Sequence, residues 1–265
     1  MITRIVVTLL GFIFAGLSPL HGQDQPPGPD APAPIATDRP SFTNSSIVVP
    51  SGSLQAENGF LVTAQQGQNI FDAPETLLRV GVASRTELRL TVPNYYYNLT
   101  TCGGPGSGFG DLVIGVKQQL GPAPAKFDVS ATLFLSLPTG AATVSSGGYD
   151  PGLQVAWSRP LSSKWTAAGM LSLLAPTQGQ MRNLTGQATV LLDRQLTGPW
   201  DAFVEYVGNF PERGGSQQLL HFGTSVKLAR TQQLDCHIGV GLSSAAVDHF
   251  VGIGYSVRFQ FAHRE

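Results

Sequence analysis

The sequence predicts an all-β protein, an antiparallel up-and-down transmembrane β-barrel of about 12 strands, and three observations support this prediction. Segments of about ten residues alternate between apolar and polar side chains, which is the period of a strand with two unlike faces. The connections between these segments are alternately short and long, as in outer-membrane barrels. Charged residues make up only 12% of the 265 residues, about half the usual share of roughly 25%, yet no internal run reaches the ~18 apolar residues of a spanning helix.

The stretch from Phe250 to Phe261 shows the alternation clearly. Its odd positions from 251 are apolar or aromatic, whereas the even positions from 252 are glycine, serine, arginine and glutamine. This polar face holds small residues and isolated charges, not the many lysines and glutamates of an ordinary solvated surface. We therefore expect the apolar face to meet lipid and the polar face to line the lumen. For any single aromatic residue, simple core packing is the alternative.

Twelve segments carry this pattern, and their connections fall into two classes. A two-sheet sandwich gives no reason for alternating connection lengths, whereas outer-membrane barrels have short periplasmic turns and longer external loops. An even strand number puts both chain ends on the periplasmic side. The predicted strands are 53–65, 76–83, 86–94, 108–120, 125–137, 151–159, 163–175, 184–195, 200–209, 217–229, 232–243 and 248–260. Tight turns are predicted at 84–85, 121–124, 160–163, 197–199 and 229–231, and loops at 66–74, 95–107, 138–150, 175–182, 209–216 and 243–247.

The N-terminus predicts export. Residues 1–22 have a basic start at Arg4, an apolar core and a small residue at Gly22, which is typical of a secretory signal peptide. A retained membrane anchor is the alternative. Residues 23–50 form a Pro-rich and then polar segment, whose first part has the composition of a tether. Because this segment precedes the first strand, it is a possible lumen plug, and the barrel itself is predicted over 51–261.

The predicted inward face carries the charged residues. Both signs are nearly balanced, so strong ion selectivity is not expected. Charges buried in a lumen often pair across strands to hold the wall, and we expect that role for most of them, with those facing open water setting selectivity. The predicted lumen-lining residues are Arg79, Glu87, Arg89, Asp111, Lys117, Lys126, Asp128, Asp193, Glu205, His221, Lys227, Asp235, His237 and Arg258.

Several stretches carry short motifs, namely TDRPSFTNS (37–45), PETLLRVGV (74–82), TELRL (86–90), GFGDLVIGVKQQL (108–120), LSLPTG (135–140) and QLDCHIGVGLSSAAVDHFVGIGYSVRF (233–259). Together they resemble one family of bacterial outer-membrane proteins, the meta-pathway of phenol degradation family, also described as transporters. The resemblance implies an outer-membrane barrel that moves aromatic or other small hydrophobic compounds, and it implies no catalytic residues. Each motif is short, but their order and spacing together are specific, and they span residues 37–259.

Catalytic chemistry has one candidate location. His249 lies near Ser243, Ser244 and Asp248 at the predicted external rim, and a serine nucleophile needs a histidine and an orienting carboxylate within hydrogen-bond reach. Polar residues are also ordinary at a barrel rim. No nucleophile-elbow, zinc-protease or phosphate-loop motif occurs in the sequence,.

Metal, cofactor and nucleic-acid binding are not expected. Cys102 and Cys236 lack any metal-ligand spacing and are expected to be unbonded thiols, with a disulfide as the less favoured alternative,. The formal net charge of −1 gives no attraction for a polyanion. The expected partners are therefore outer-membrane lipid and a small-molecule solute, and the pattern indicates no particular oligomeric state.

Three functions fit this sequence. The first is a passive outer-membrane channel for small molecules. The second is a closed structural or adhesive barrel whose external loops bind partners, and the third is a membrane enzyme at the external rim. Eight strands leave an interior filled by side chains and 16–18 leave an aqueous channel, so about 12 strands predict a narrow or plugged pore.

Overall fold

The computed structural model describes residues 33–101, 104–123 and 127–261. The predicted signal peptide, the Pro-rich residues 23–32, Cys102 and Lys126 lie outside the described residues. Within those ranges every regular element is a β-strand, which confirms the predicted all-β class. Among the same residues, no helix has the length and apolar character needed to cross a membrane.

Twelve antiparallel strands form the barrel, as the sequence predicts. They are β1 (Ser53–Gln65), β3 (Leu77–Ala83), β4 (Thr86–Thr91), β7 (Leu112–Ala123), β8 (Phe127–Leu137), β9 (Asp150–Pro160), β10 (Trp165–Leu174), β13 (Thr185–Gln195), β14 (Trp200–Pro211), β15 (Gln217–Ala229), β16 (Gln232–Gly241) and β17 (His249–Gln260). Successive barrel strands pair with one another, and β17 pairs with β1 from Ser53↔Gln260 to Ala64↔His249, which closes the ring. The largest difference from prediction is at β7, predicted to begin at 108 and beginning at Leu112.

Short and long connections lie at opposite ends of the barrel. The end with connections 84–85, 161–164, 196–199 and 230–231 is called the turn end below, and the other is called the loop end. In outer-membrane barrels the turn end faces the periplasm. The first loop-end connection is shorter than predicted, because Gln66 and Gly67 form a two-residue turn with φ of 50° and 79°. Two central residues with positive φ suit the right-handed twist of a hairpin.

Three further strands extend the wall at the loop end. They are β2 (Gln68–Ala73), β5 (Tyr95–Thr101) and β6 (Gly104–Phe109), which continue β3, β4 and β7 beyond short interruptions. The predictions of loops at 66–74 and 95–107 are therefore wrong. Both stretches contain aromatic residues that favour strand pairing, and β2 pairs with β5 while β5 pairs with β6. Pro74 and Pro93 lie at two of the interruptions. Proline has no N–H to donate to strand pairing, so the strands break at these positions.

The loop 138–149 packs against the outer edge of β6. The Ala141 amide donates to the Phe109 carbonyl at 2.8 Å, and Thr143 Oγ1 donates to the Ser107 carbonyl at 3.1 Å. A second loop-end connection contains a small hairpin of β11 (Thr177–Gln178) and β12 (Met181–Arg182). The bonds between the loop 138–149 and β6 cover the outer edge of β6, which would otherwise be open to pairing with other chains,.

Apolar side chains on the strands point outward and charged side chains point inward. Leu171 is 63% exposed and Leu133 is 58% exposed, whereas Arg79 and Glu205 are both 0% exposed. This arrangement is the reverse of a soluble sheet protein, in which large apolar residues fill the core. It confirms the inside-out orientation and gives the barrel an apolar outer surface suited to lipid.

The inward face is not polar throughout. Towards the loop end, Val207, Leu219 and Phe250 form a buried apolar cluster, against which Leu61 and Val247 pack. Val247 belongs to the last loop-end connection, which therefore turns into the lumen. The interior thus has an apolar layer near the loop end and polar residues at other levels.

A charge on the outer face tests the membrane orientation. Leu133→Arg places a cation near the middle of β8 on the lipid side, where it should lower the free energy of unfolding by about 2–4 kcal/mol. The measurement is urea unfolding of the protein folded into lipid vesicles. Leu133→Phe, which keeps the surface apolar, is the control and should change little. Equal stability of the two variants would contradict the orientation described above.

Candidate functional site

Residues 33–50 lie inside the barrel, and we call them the luminal segment. Their backbone and side chains bond inward-facing side chains from strands around the wall. These strands are β1, β3, β4, β7, β9, β13, β14, β16 and β17. The site is therefore built from two parts, the polar inner face of the wall and this segment.

Short polar side chains give the luminal segment its bent path. Thr37 Oγ1 donates to the Arg39 carbonyl at 2.6 Å, and Ser41 Oγ donates to the Thr43 carbonyl at 2.8 Å. Asp38 Oδ1 accepts a bond from the Ser45 amide at 2.8 Å. Such local bonds satisfy the backbone without helix or sheet pairing, so the stretch can cross the lumen in an irregular conformation.

Wall carboxylates accept bonds from backbone amides of the segment. Glu57 Oε2 accepts from the amides of Asp38 and Arg39 at 2.9 and 3.0 Å. Glu205 accepts from the amides of residues 42 and 43 at 2.9 and 2.7 Å, and Glu87 from that of residue 49 at 2.7 Å. Buried amides need such partners, and a carboxylate is a strong acceptor. The wall thus holds the segment by its backbone as well as by its side chains.

Six ionisable side chains meet in what we call the charge cluster. Three are acidic and three are basic, so their formal charges cancel. Asp38 contacts Arg79 at 3.3 Å, Arg89 at 2.5 Å and Lys117 at 3.2 Å. Two wall carboxylates complete the cluster, Glu57 at 2.9 Å from Arg79, and Glu87 at 2.9 Å from Arg79, 2.7 Å from Arg89 and 3.6 Å from Lys117.

Arg79 is the centre of the charge cluster. Its guanidinium is fully buried and donates to Glu57 through Nη1 and to Glu87 through Nε and Nη2, each at 2.9 Å. It also donates to the carbonyls of Ala36 at 3.0 Å and Ile47 at 3.2 Å. The same side chain therefore holds two wall strands and two points of the luminal segment.

The Asp38 carboxyl belongs to the luminal segment and stays ionised. Burial by itself would raise the pKa of Asp38, but the positive charges of Arg79, Arg89 and Lys117 outweigh burial and hold that pKa far below its usual range,. The luminal segment therefore presents a permanent anion to the three wall cations.

A second ion group lies where the barrel closes. Arg39 pairs with Glu75 at 2.5 Å and with Asp235 at 3.4 Å. Its guanidinium lies directly over Gly59 and Gly254, which face each other across the β1–β17 pair. A Cβ on either glycine would overlap the Arg39 side chain, so the absence of side chains at this pair makes room for the arginine.

A third group joins Glu205 to two histidines. Thr43 Oγ1 donates to Glu205 Oε1 at 2.6 Å, and Glu205 Oε2 is 2.8 Å from His221 Nδ1. His221 Nε2 is 3.0 Å from His237 Nδ1. The ring of Phe42 stacks edge-on against His221, with centroids 5.2 Å apart. This group holds the middle of the luminal segment against β14–β16.

Two cavities flank the luminal segment. The loop-side cavity, of about 340 Å³, is lined by apolar and polar residues of the wall, including Leu77, Arg89 and Phe134. The turn-side cavity, of about 400 Å³, is lined by segment residues and by wall residues that include Asp128 and Lys227. Asn44 lines both cavities, and its Nδ2 donates to Gln154 Oε1 at 2.9 Å. Asn44 therefore borders both spaces.

The structure brings most of the predicted lumen residues together. Arg79, Glu87, Arg89 and Lys117 belong to the charge cluster, and Glu205, His221 and His237 form the histidine group. Asp128, Asp193 and Lys227 line the turn-side cavity, Asp235 pairs with Arg39, and Arg258 donates to the carbonyls of Ala33 and Pro34. Asp111 lies at the β6–β7 interruption and accepts a bond from the Gly140 amide at 2.9 Å. Lys126 lies outside the described residues.

Several site residues were not predicted from the sequence. Glu57 and Gln55 alternate with apolar residues in β1 and could have been found from that pattern. Glu75 lies between strands, and Asp201, which pairs with Lys227 in the turn-side cavity, lies at a strand start, where periodicity gives little signal. Asp38 lies in an irregular segment, so only its position in the TDRPSF stretch marks it.

The candidate catalytic group at the rim is not assembled. Ser243 Oγ donates to the Ser216 carbonyl at 2.8 Å and accepts from the Gln218 amide at 3.0 Å. His249 is exposed at the start of β17. Across residues 33–101, 104–123 and 127–261, no group of three or more histidine, cysteine or acidic side chains is placed to hold a metal ion. Cys236 is a free thiol.

Comparison with known proteins identifies the family. Residues 37–259 match the family described as "Putative MetA-pathway of phenol degradation". The chain belongs to this family. None of the curated proteins matches it in sequence.

Solved structures share the fold at low sequence identity. An outer membrane channel from Pseudomonas putida F1 is 13% identical with a TM-score of 0.63, covering 81% of this chain and 98% of that one. The NanC porin is 9% identical with a TM-score of 0.54, covering 77% and 98%. The KdgM porin is 7% identical with a TM-score of 0.53, covering 78% and 99%. This family member is thus an outer-membrane β-barrel with the fold of channels and porins.

Removal of Arg79 tests the charge cluster. Arg79→Met leaves Glu57 and Glu87 buried with fewer partners, so the free energy of unfolding should fall by about 3–5 kcal/mol. The measurement is urea unfolding in lipid vesicles. Arg213→Met, in an exposed loop, should change stability by less than about 0.5 kcal/mol. Similar effects from both variants would mean that the cluster does not stabilise the barrel.

The contribution of Asp38 to the free energy of unfolding should be lost only at low pH. Because its pKa is lowered on folding, Asp38 stabilises the protein fully above the unfolded value of about 3.9 and loses this effect as pH falls through the folded value. The difference in unfolding free energy between the native protein and Asp38→Asn should be constant from about pH 7 to about pH 5 and shrink only below about pH 4. Exposed Asp248→Asn is the control. A loss already between pH 7 and 5 would contradict a lowered pKa.

Proposed function

We propose that this outer-membrane barrel is a channel for the passive passage of small molecules, which the luminal segment closes in the state described. The observation that carries the proposal is that Asn44 borders both the loop-side and the turn-side cavity. The two cavities and the space now filled by Asn44 and Gln154 form one route along the lumen. Diffusion along this route needs only a displacement of the segment, not a change in the wall.

The luminal segment acts as the plug in this proposal. The side chains of the wall just fill the interior of an eight-stranded barrel, whereas a barrel of 12 strands is wider and leaves space inside. The segment occupies that space and neutralises its charges through Asp38 and Arg39. Apart from its chain connection to β1 through residues 51 and 52, the segment contacts the wall noncovalently within the described residues, so it can move without breaking the barrel.

The walls of the route favour solutes with an apolar body. Leu77, Val113 and Phe134 line the loop-side cavity, and an apolar cluster around Phe250 lies in the same half of the lumen. Apolar walls with a few polar groups are usual for sites that bind small organic molecules. The family description names phenol degradation. Aromatic and other small hydrophobic compounds fit such walls.

A closed structural or adhesive barrel is the second candidate. It is favoured by the number of bonds that hold the luminal segment to the wall, since a plug held at Glu57, Arg79 and Glu205 resists displacement. The two candidates differ in solute flux, which only the channel supports.

Enlarging the passage at Asn44 tests the proposal. The double variant Asn44→Ala with Gln154→Ala removes the side chains between the cavities, so single-channel conductance in planar bilayers should rise above that of the native protein. Measurement at two salt concentrations separates an aqueous pore from leakage. Asn58→Ala, on the lipid side of β1, is the matched control and should conduct like the native protein.

Deleting residues 23–50 removes the whole plug and tests how far it limits conductance. The barrel without its plug should show larger stepwise openings and faster liposome swelling with small sugars. If the deletion and the double variant both stay silent in protein shown to be folded and inserted, the channel proposal fails and the structural barrel is favoured.

A further inference from the structure

The loop-side cavity is lined by one cation together with neutral polar and apolar side chains. Arg89, Asn44 and Gln154 provide polar groups, while Leu77, Val113 and Phe134 provide apolar surface. Its volume of about 340 Å³ is at the lower end of the roughly 300–1,000 Å³ found for ligand sites. The cavity therefore suits one small amphipathic molecule.

Arg89 has donors beyond those used within the charge cluster. Nη1 donates to Glu87 at 2.7 Å and Nη2 to Asp38 at 2.5 Å, whereas a guanidinium carries five N–H groups in a planar fork. The fork matches the two oxygens of a carboxylate. An anion in the cavity can thus approach the same guanidinium that Asp38 now occupies.

The wall alone has one positive charge too many. Arg79, Arg89 and Lys117 are wall residues, and within the charge cluster the wall supplies only Glu57 and Glu87 against them. Asp38, the carboxylate that balances the cluster, comes from the luminal segment. The wall is therefore an anion site occupied by a ligand from its own chain.

We propose that the loop-side cavity binds a small monocarboxylate with an apolar body, whose carboxylate bonds Arg89 in competition with Asp38. This inference rests on the proposed function, because the solute must enter the lumen to reach the site. One negative charge replaces Asp38 and restores neutrality, whereas a dianion such as a phosphate monoester would leave an excess negative charge. A cation would meet Arg89 unfavourably, and a neutral molecule would gain only the apolar contacts.

Competition with Asp38 couples binding to the position of the plug. A ligand that bonds Arg89 only when Asp38 has moved away favours the displaced luminal segment, since it binds one state better than the other. The observed affinity is then reduced by the fraction of molecules in the competent state. Weakening the hold of Asp38 should therefore raise the affinity for the ligand.

Calorimetric titration of benzoate and methyl benzoate into the detergent-folded full chain tests this proposal. Benzoate should bind Asp38→Asn about tenfold or more tightly than it binds the native protein, because the competing anion is gone. Arg89→Gln should weaken benzoate binding about tenfold or more, since the charged donor is lost. Methyl benzoate, the neutral probe, should be affected by neither variant. Asp248→Asn, the same chemical change on the exposed loop end, should bind benzoate like the native protein.

The two variants act in opposite directions, so a folding defect in Arg89→Gln alone does not decide the result. Equal or weaker benzoate binding by Asp38→Asn would overturn the proposal, as would equal responses to acid and ester. Conductance separates this failure from that of the channel. Solute flux without carboxylate preference leaves the channel and removes this site, whereas benzoate binding without flux leaves the site and removes the channel.

Discussion

Charge balance inside the lumen is the constraint on which the rest of the structure depends. Ionised groups removed from water are costly unless they are paired and hydrogen-bonded. The wall brings Arg79, Arg89 and Lys117 close together, and Glu57 and Glu87 do not suffice to neutralise them. Asp38 completes the balance, so residues that precede the first strand neutralise the wall cations in the closed state. The wall and the luminal segment are one electrostatic unit.

The same constraint explains how an irregular segment can be buried. Its amides find carboxylates on the wall, at Glu57, Glu87 and Glu205, and its carbonyls find the guanidinium of Arg79. Each of these wall groups serves a side-chain partner and a backbone partner at once. The same wall groups therefore form the side-chain ion pairs of the lumen and the hydrogen bonds to the backbone of the luminal segment. A change to one wall group affects both kinds of contact.

The strands and their orientation could be predicted from the sequence because both depend on a local period of two. β1, β15 and β17 carry that period over most of their length, and the two faces differ enough to assign one to lipid. The extension of the wall could not be predicted in this way. Its strands lie among glycines and prolines, which usually mark loops, and the aromatic residues at 95–97 form a strand only because β2 and β6 lie on either side.

The partners within the site could be predicted even less. The inward position of Arg79, Arg89 and Lys117 follows from alternation, but their contacts with Asp38 join residues 41, 51 and 79 positions apart in the closed ring. No local pattern in the sequence indicates how the strands are aligned with the luminal segment. Asp38 itself lies in a stretch without any period, so its role depends entirely on where the folded wall places the cations.

The glycine pair at the seam has a consequence for assembly. β1 and β17 are far apart in the chain, and joining them costs the conformational entropy of a long loop. Arg39 lies over Gly59 and Gly254 and donates to the Ile253 carbonyl of β17 at 3.3 Å, while its own amide bonds Glu57 of β1. One residue thus touches both edges that must meet. Because that residue is inside, the luminal segment bridges the two edges from within and adds contacts to a seam that is otherwise held by the β1–β17 pairing.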